Sequence, residues 1–484
     1  MPHFALLPAF NVLFLNPMKT TGILSITILL FLYSCKKDSF IISSDARVTI
    51  SADTLKFDTV FVTSGSTTQY FIIKNENKQK LKVSSVKLMG GNSSLFKINV
   101  DGIIGPEVQN IEIEPNDSIY IFVQVNVNPN TGNLPFVLRD SINVSYNGNN
   151  KLVQLEAWGQ NAHFFRNRTI TTNEVWNNDL PYVILGYLFV DVNKTLTINK
   201  GCRIYVHADA PIIVDGTLQI NGLKDTIDRV YFRGDRLDAP YKDYPASWPG
   251  IFFRTSSKDN VFNYAVIKNA YQAFGLQDLP PSANPKLTLN ECIIDNAYDA
   301  GIITVNSSIT ARNCLVSNCG KNIAIYKGGN YLFTHCTMAT YSNSFQLHRD
   351  PSLVLSNFIT VNNVQQPANL TATFRNCIIW GENGTVDDEV VTAKNNSAGF
   401  TAVFESVLWK VITPPANVTS TGIINNQNPQ FDSINVSEKY YDFRLSTKPS
   451  PAINAGVNTS IVLDLDGKPR TVGVKPDLGC FEKQ

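Results

Sequence analysis

The chain has no surplus of either charge. Lys plus Arg number 41 against 40 for Asp plus Glu in 484 residues, and charged residues are only 17% of the total, where about 25% is usual. A nucleic-acid binder needs a basic excess, and a disordered chain needs high charge with few aromatics, so neither class fits. Methionine is scarce at 4 residues and histidine at 5. The apolar run from Ile23 to Tyr33 falls short of the roughly 20 residues that a permanent transmembrane helix needs. No C-x-x-C pair and no histidine cluster occurs, which argues against a structural zinc site. The length exceeds the roughly 250–300 residues at which single cores stop growing, so more than one domain is expected.

What the chain has in plenty is asparagine, 51 residues, with 28 Gly and 24 Pro beside β-branched and aromatic residues. Such a composition is turn-rich and mostly β. From Val48 to about Ala162, short alternating segments such as Gln69–Asn75, Phe96–Val100 and Tyr120–Val125 recur between polar turns. About eight strands at 8–12-residue intervals predict an immunoglobulin-like β-sandwich.

Farther on, a repeat emerges. Aligning the segments that begin at Phe262, Leu289, Ala311, Phe333, Phe374 and Phe404 places Ala265, Cys292, Cys314, Cys336, Cys377 and Val407 in one column, with steps of 27, 22, 22, 41 and 30. A step of 22 suits one turn of a parallel β-helix, and the longer steps suit turns with insertions. Asn269, Asn296 and Asn318 follow four places after the column in three successive units. Asparagine tolerates left-handed corners, and its amides can bond up a ladder. The cysteines at 292, 314, 336 and 377 are therefore expected as reduced thiols inside the coil, alternating with outward residues such as Asn313 and His335. A disulfide, with Cys314 and Cys319 the best-spaced pair, and a redox role remain as alternatives.

Five resemblances add to this reading. Leu32-Tyr33-Ser34-Cys35, after Lys19 and the apolar run, resembles a bacterial lipobox. That likeness implies a signal peptide at 18–34, residues 1–17 upstream of the true start, and lipidation of Cys35. No Asp adjoins Cys35, and Lys36-Lys37-Asp38 is similar to the export tracts of Bacteroidetes surface lipoproteins, so an outer-membrane, surface-exposed site is implied. After a linker at 35–47, the order of strands over 48–162 resembles ASH-like domains, which act as spacers or docking modules. The stretch from Leu188 through Phe253, with its Trp248-Pro249-Gly250, resembles the entry coils of right-handed, pectin-lyase-like β-helices. The segments 451–456, 464–470 and 476–482 resemble the closing region known as a choice-of-anchor domain.

The expected architecture is thus all-β: an immunoglobulin-like β-sandwich, then a right-handed parallel β-helix over 163–445, with a closing segment at 446–484 and Trp158–Asp191 as first cap. Fold alone does not choose a function. Candidate catalytic residues are His348, Arg349 and Asp350 with Asp387 and Asp388 of the acidic run 387–389, expected on neighbouring turns. A lyase there would need a base beside Ca²⁺ ligands, and a hydrolase would need paired carboxylates. Asp464, Asp466 and Asp477 begin like a calcium loop but lack its remaining ligands, so a turn with an Asp–Arg pair is favoured. Tyr241, Tyr244 and Trp248 could stack on sugars. No cofactor and no resident metal is expected. The favoured function is a monomeric, lipid-anchored, non-catalytic binding or adhesion protein for polysaccharide or surface partners, with a polysaccharide lyase or glycoside hydrolase as the rival.

Overall fold

The computed structural model describes residues 39–61, 68–126, 136–238, 240–446 and 448–484. Cys35 lies outside the described residues. The chain divides into two compact units, one built mainly from Thr68–Val125 and Leu138–Glu156, the other mainly from Ala157–Gln484.

The first unit is a sandwich of two sheets. One follows the order Phe40–Ile41, Lys80–Leu88, Phe136–Tyr146, Asn149–Gln160, Thr54–Phe61, with Glu107–Ile113 also paired to Lys80–Leu88. The other follows Val48–Ile50, Gln69–Asn75, Ser118–Val125, Phe96–Val100, Ile103–Ile104. Strict alternation buries Phe71, Ile73, Ile119, Ile121 and Val123 between the sheets, as a half-buried antiparallel strand requires. The sandwich starts earlier than the sequence suggested. Phe40 and Ile41, expected in a linker, pair in parallel with Lys80 and Leu81.

The second unit is a parallel β-coil from His163–Ile170 to Ile424–Asn425, in which each strand pairs with its counterpart one turn on. The expected first cap is itself the opening coil: His163–Ile170 runs parallel to Tyr182–Val190, and the rings of Trp176 and Tyr182 stack at 4.4 Å. The registers Arg203↔Tyr231, Val230↔Ala265 and Val266↔Ile293 extend the cysteine column backwards, so that Cys202 heads it. Cys202, Cys292, Cys314, Cys336 and Cys377 are all buried free thiols. Cys292 donates to the carbonyl of Phe262 at 3.4 Å, and Cys314 to that of Arg312 at 3.2 Å. Cysteine fits this column because it is small, apolar and still a weak donor to a carbonyl.

Burial pushes the thiols of Cys292, Cys314 and Cys336 well above their ordinary range, so they stay protonated. Thiol labelling of the folded protein should leave these cysteines unmodified, and labelling after denaturation without reductant should reach all of them. A requirement for reductant would sink this assignment.

Immediately before the column, Tyr264, Glu291, Asn313, His335, Asn376 and Ser406 share a left-handed backbone with φ between 46° and 54°. The expectation for Asn313 and His335 needs correction here. Both point away from the coil interior, yet both are fully buried, because residues 446–484 run along this corner. Asn376 exchanges two hydrogen bonds with the backbone of Val457, at 2.7 and 2.9 Å. Arg470 donates to Asn313 Oδ1 at 2.6 Å and to the carbonyls of Gly479 and Cys480. The hairpin Phe431–Asn435/Tyr440–Leu445 and Leu465, Leu478 and Phe481 pack against Leu315, Ile378, Trp380 and Leu408 on the coil's flank. The closing segment is a lateral strap.

Candidate functional site

Three insertions converge on the corner that carries Asn269, Asn296 and Asn318. Residues 235–238 and 240–250 lie between strands Val230–Gly234 and Ile251–Phe253, residues 342–352 follow strand Thr337–Tyr341, and the turn of the 431–445 hairpin presents Lys439. Between them lies a cleft of about 280 Å³ bordered by Arg233, Lys242, Lys268, Asp295, Phe345 and Lys439, with the three asparagines on its floor.

The floor is built by register. Asn269, Asn296 and Asn318 adopt φ of 64°, 60° and 51°, the left-handed turn asparagine accepts more readily than other side-chain-bearing residues. Asn296 Nδ2 donates to Asn269 Oδ1 at 2.8 Å and to the Asp243 carbonyl at 3.0 Å, while Asn269 Nδ2 donates to the Lys242 carbonyl at 2.6 Å. The ladder therefore pins the 235–250 insertion to the coil. One place before the asparagines, Lys268 and Asp295 form an ion pair at 3.0 Å. Asp295 raises the pKa of the Lys268 ammonium, so that lysine is charged at neutral pH. Asp295 also accepts from Ser317 Oγ at 2.8 Å, which leaves it committed as a structural acceptor.

An aromatic rim completes the cleft. The rings of Tyr241 and Tyr244 meet edge-on at 5.2 Å, and Tyr244 meets Phe345 at 4.7 Å. Arg236 lies over Tyr241 and the Lys439 ammonium 3.6 Å above the Phe345 centroid, each a cation–π contact. With Arg233, Lys242, Lys268 and Lys439 against Asp243 and Asp295, the cleft presents cationic and amide donors beside an apolar edge. A groove of about 480 Å³ along Leu279–Pro285 is larger but is lined by no charged side chain, and one of about 460 Å³ holds Glu291 and Arg312 already paired at 3.1 Å. Volume and chemistry point to different places, and recognition depends on convergent polar groups.

Among the stacking candidates, Tyr241 and Tyr244 stand on the insertion that borders this cleft. Trp248 is fully buried, and its indole donates to the Lys268 carbonyl at 2.8 Å, so it braces the wall with no exposed ring face to stack on.

The five catalytic candidates do not converge. His348 is buried, with Nε2 2.7 Å from Glu389 Oε1. Asp350 reaches Lys321 at 3.5 Å, and Asp388 accepts from the backbone amides of Ile412 and Thr413. Arg349 and Asp387 are exposed. Asp464 Oδ1 accepts from the amides of Asp466 and Lys468, and Asp466 pairs with Arg444 at 2.8 Å, which makes this stretch a turn. Among the described residues, no three His, Cys, Asp or Glu gather as metal ligands.

Sequence reasoning missed Lys268, Asp295, Lys242, Arg233, Lys439 and Phe345. A signal for two of them existed, since Lys268 and Asp295 precede column asparagines 27 residues apart. A second asparagine ladder also went unseen: Asn199 donates to Asn177 at 2.9 Å, Asn221 to Asn199 at 3.4 Å and Asn290 to Asn263 at 2.8 Å.

No family model matches the chain, and no curated protein matches it. Among solved structures, a family 123 glycoside hydrolase from Clostridium perfringens is similar at 12% identity and TM-score 0.18, over 23% of this chain and 25% of that one. The E. coli chaperone DraB is similar at 9% identity and TM-score 0.17, over 23% of this chain and 54% of that one. The chain thus spans about a quarter of the hydrolase and about half of the chaperone. The ASH/PapD-like domain of human CEP192 is similar at 9% identity and TM-score 0.17, over 26% of this chain and 92% of that domain.

Proposed function

We propose that the chain is a lipid-anchored surface protein of the bacterial outer membrane that binds polysaccharide without turning it over, and that the cleft at the Asn269–Asn296–Asn318 corner holds the glycan. The observation that carries this reading is the cleft's donor set: cations from four separate segments, an amide floor and an aromatic rim. Sugars present hydroxyls to amides and apolar ring faces to aromatics, and acidic substituents suit the surplus of cations. The burial of His348 against Glu389 and the engagement of Asp388 by the amides of Ile412 and Thr413 favour this reading over the hydrolytic or lytic alternative.

Titration with soluble acidic polysaccharides tests the cleft. The double substitution Lys242→Ala/Lys439→Ala should weaken binding about 10-fold or more, since each factor of ten corresponds to about 1.4 kcal/mol, and raised salt should mimic the loss. Unchanged affinity would move the site elsewhere. Product formation that disappears with Arg349→Ala would replace the binding reading with an enzymatic one. The anchor has its own test. Cys35→Ala should release the protein from the membrane fraction, because a dual acyl anchor is the kind of signal that retains a protein there.

A further inference from the structure

The sheet made by Val48–Ile50, Gln69–Asn75, Ser118–Val125, Phe96–Val100 and Ile103–Ile104 has one face packed inside the sandwich and one toward solvent. A solvated face of an antiparallel sheet is ordinarily polar, but this one is not. The register pairs Tyr70 with Phe122, Phe122 with Asn99, and Asn99 with Ile104, while Ile72 pairs with Tyr120. The rings of Tyr70, Tyr120 and Phe122 contact one another at centroid separations of 5.4, 6.1 and 5.9 Å. They nevertheless stay 54%, 43% and 38% exposed, and Ile104 is 77% exposed. The strand residues facing the same way include Lys74 and Lys97 and no acidic residue.

We infer that this aromatic face of the sandwich rests on the lipid surface and sets how the protein lies on it. The inference builds on the proposed acylation of Cys35. Ser39, the first described residue, follows Cys35 by four positions, a reach of at most about 14 Å. Its hydroxyl accepts from Gln79 Nε2 at 3.0 Å, so the chain leaves the sandwich beside the start of strand Lys80–Leu88 on the other sheet, and it is the chemistry of the aromatic face that selects which surface meets the lipid. A tether so short holds the sandwich against the bilayer. Tyrosine rings settle at the headgroup level, where the ring is sheltered and the hydroxyl stays wet. Lys97 matches anionic headgroups, whereas Lys74 is shared with Glu76 at 3.8 Å. The aliphatic Ile72 and Ile104 extend the same apolar area.

The test uses the full chain with Cys35→Ser, which carries no acyl group, and vesicles of phosphatidylethanolamine with phosphatidylglycerol. Flotation should show weak binding that the double substitution Tyr70→Ser/Phe122→Ser reduces by at least several-fold, with melting unchanged because the rings sit on the surface. Lys97→Glu should act in the same direction. Absence of vesicle binding by the Cys35→Ser chain, or equal binding by the aromatic variant, overturns the inference. Loss of glycan-array signal in the aromatic variant without vesicle binding also overturns it and makes the face a sugar platform. Mass analysis of the mature N-terminus judges acylation separately: an unacylated chain whose face still binds vesicles refutes the anchor and leaves the lipid-facing assignment standing.

Discussion

Arg470→Ala should destabilise the parallel coil by about 3–5 kcal/mol, the usual penalty for removing one partner of a buried charge network. Calorimetry should show the melting temperature falling by roughly 5–10 °C. The guanidinium is completely buried and lies 3.8 Å from Glu482, with Asp464 and Asp477 also buried nearby. Without it, three carboxylates remain in the strap's interior and Asn313 Oδ1 loses the Arg470 donor, while its amide nitrogen keeps Glu291 and the Leu463 carbonyl. The loss should grow with pH. Burial pushes the Glu482 carboxyl up to about 7 and raises that of Asp477, in both cases above the unfolded value. A group raised in this way favours the fold most below its unfolded pKa, and that contribution fades as pH climbs through the folded one. The variant should therefore lose more at pH 8 than at pH 5. An equal loss at both pH values would show that Arg470 acts by packing alone.

The limits of the sequence follow from the same residues. The cysteine column was legible because a stack one turn apart repeats its residue type, and burial tolerates only small apolar side chains there. What the sequence could not show was which outward residues a distant segment would cover. Asn313 and His335 obey the alternation that predicts exposure, and only contacts spanning 157 residues, as from Arg470 to Asn313, reverse it. The cleft was legible at its floor, where asparagines recur, and at Tyr241 and Tyr244. Lys439 and Phe345 come from insertions with no period, so no alignment of the repeat could have brought them to Lys268. His348 and the 387–389 run lie on neighbouring turns. The partner is Glu389 rather than Asp387 or Asp388, because Glu389 is the member of that run turned inward, just before strand Val390–Ala393.

Glu389→Ala should accordingly affect both stability and binding, although Glu389 does not border the cleft. Its Oε1 holds His348, and its Oε2 accepts from both the amide and the hydroxyl of Ser352, at 3.1 and 2.8 Å. These bonds fix the two ends of the short stretch 348–352, and the insertion that contains it carries Phe345 to the cleft. Removing the carboxyl leaves His348 and the Ser352 amide without these partners in a buried site, a loss of about 3–5 kcal/mol. Release of the insertion should then separate Phe345 from Tyr244 and Lys439, so polysaccharide affinity should fall with stability. Glu389→Gln keeps the shape and one acceptor oxygen, and it should restore much of the melting temperature and most of the affinity. If Glu389→Ala melted lower yet bound polysaccharide as tightly as the native chain, the insertion would be dispensable to the cleft. If neither quantity moved, the buried His348–Glu389 pair would not be what holds this insertion in place.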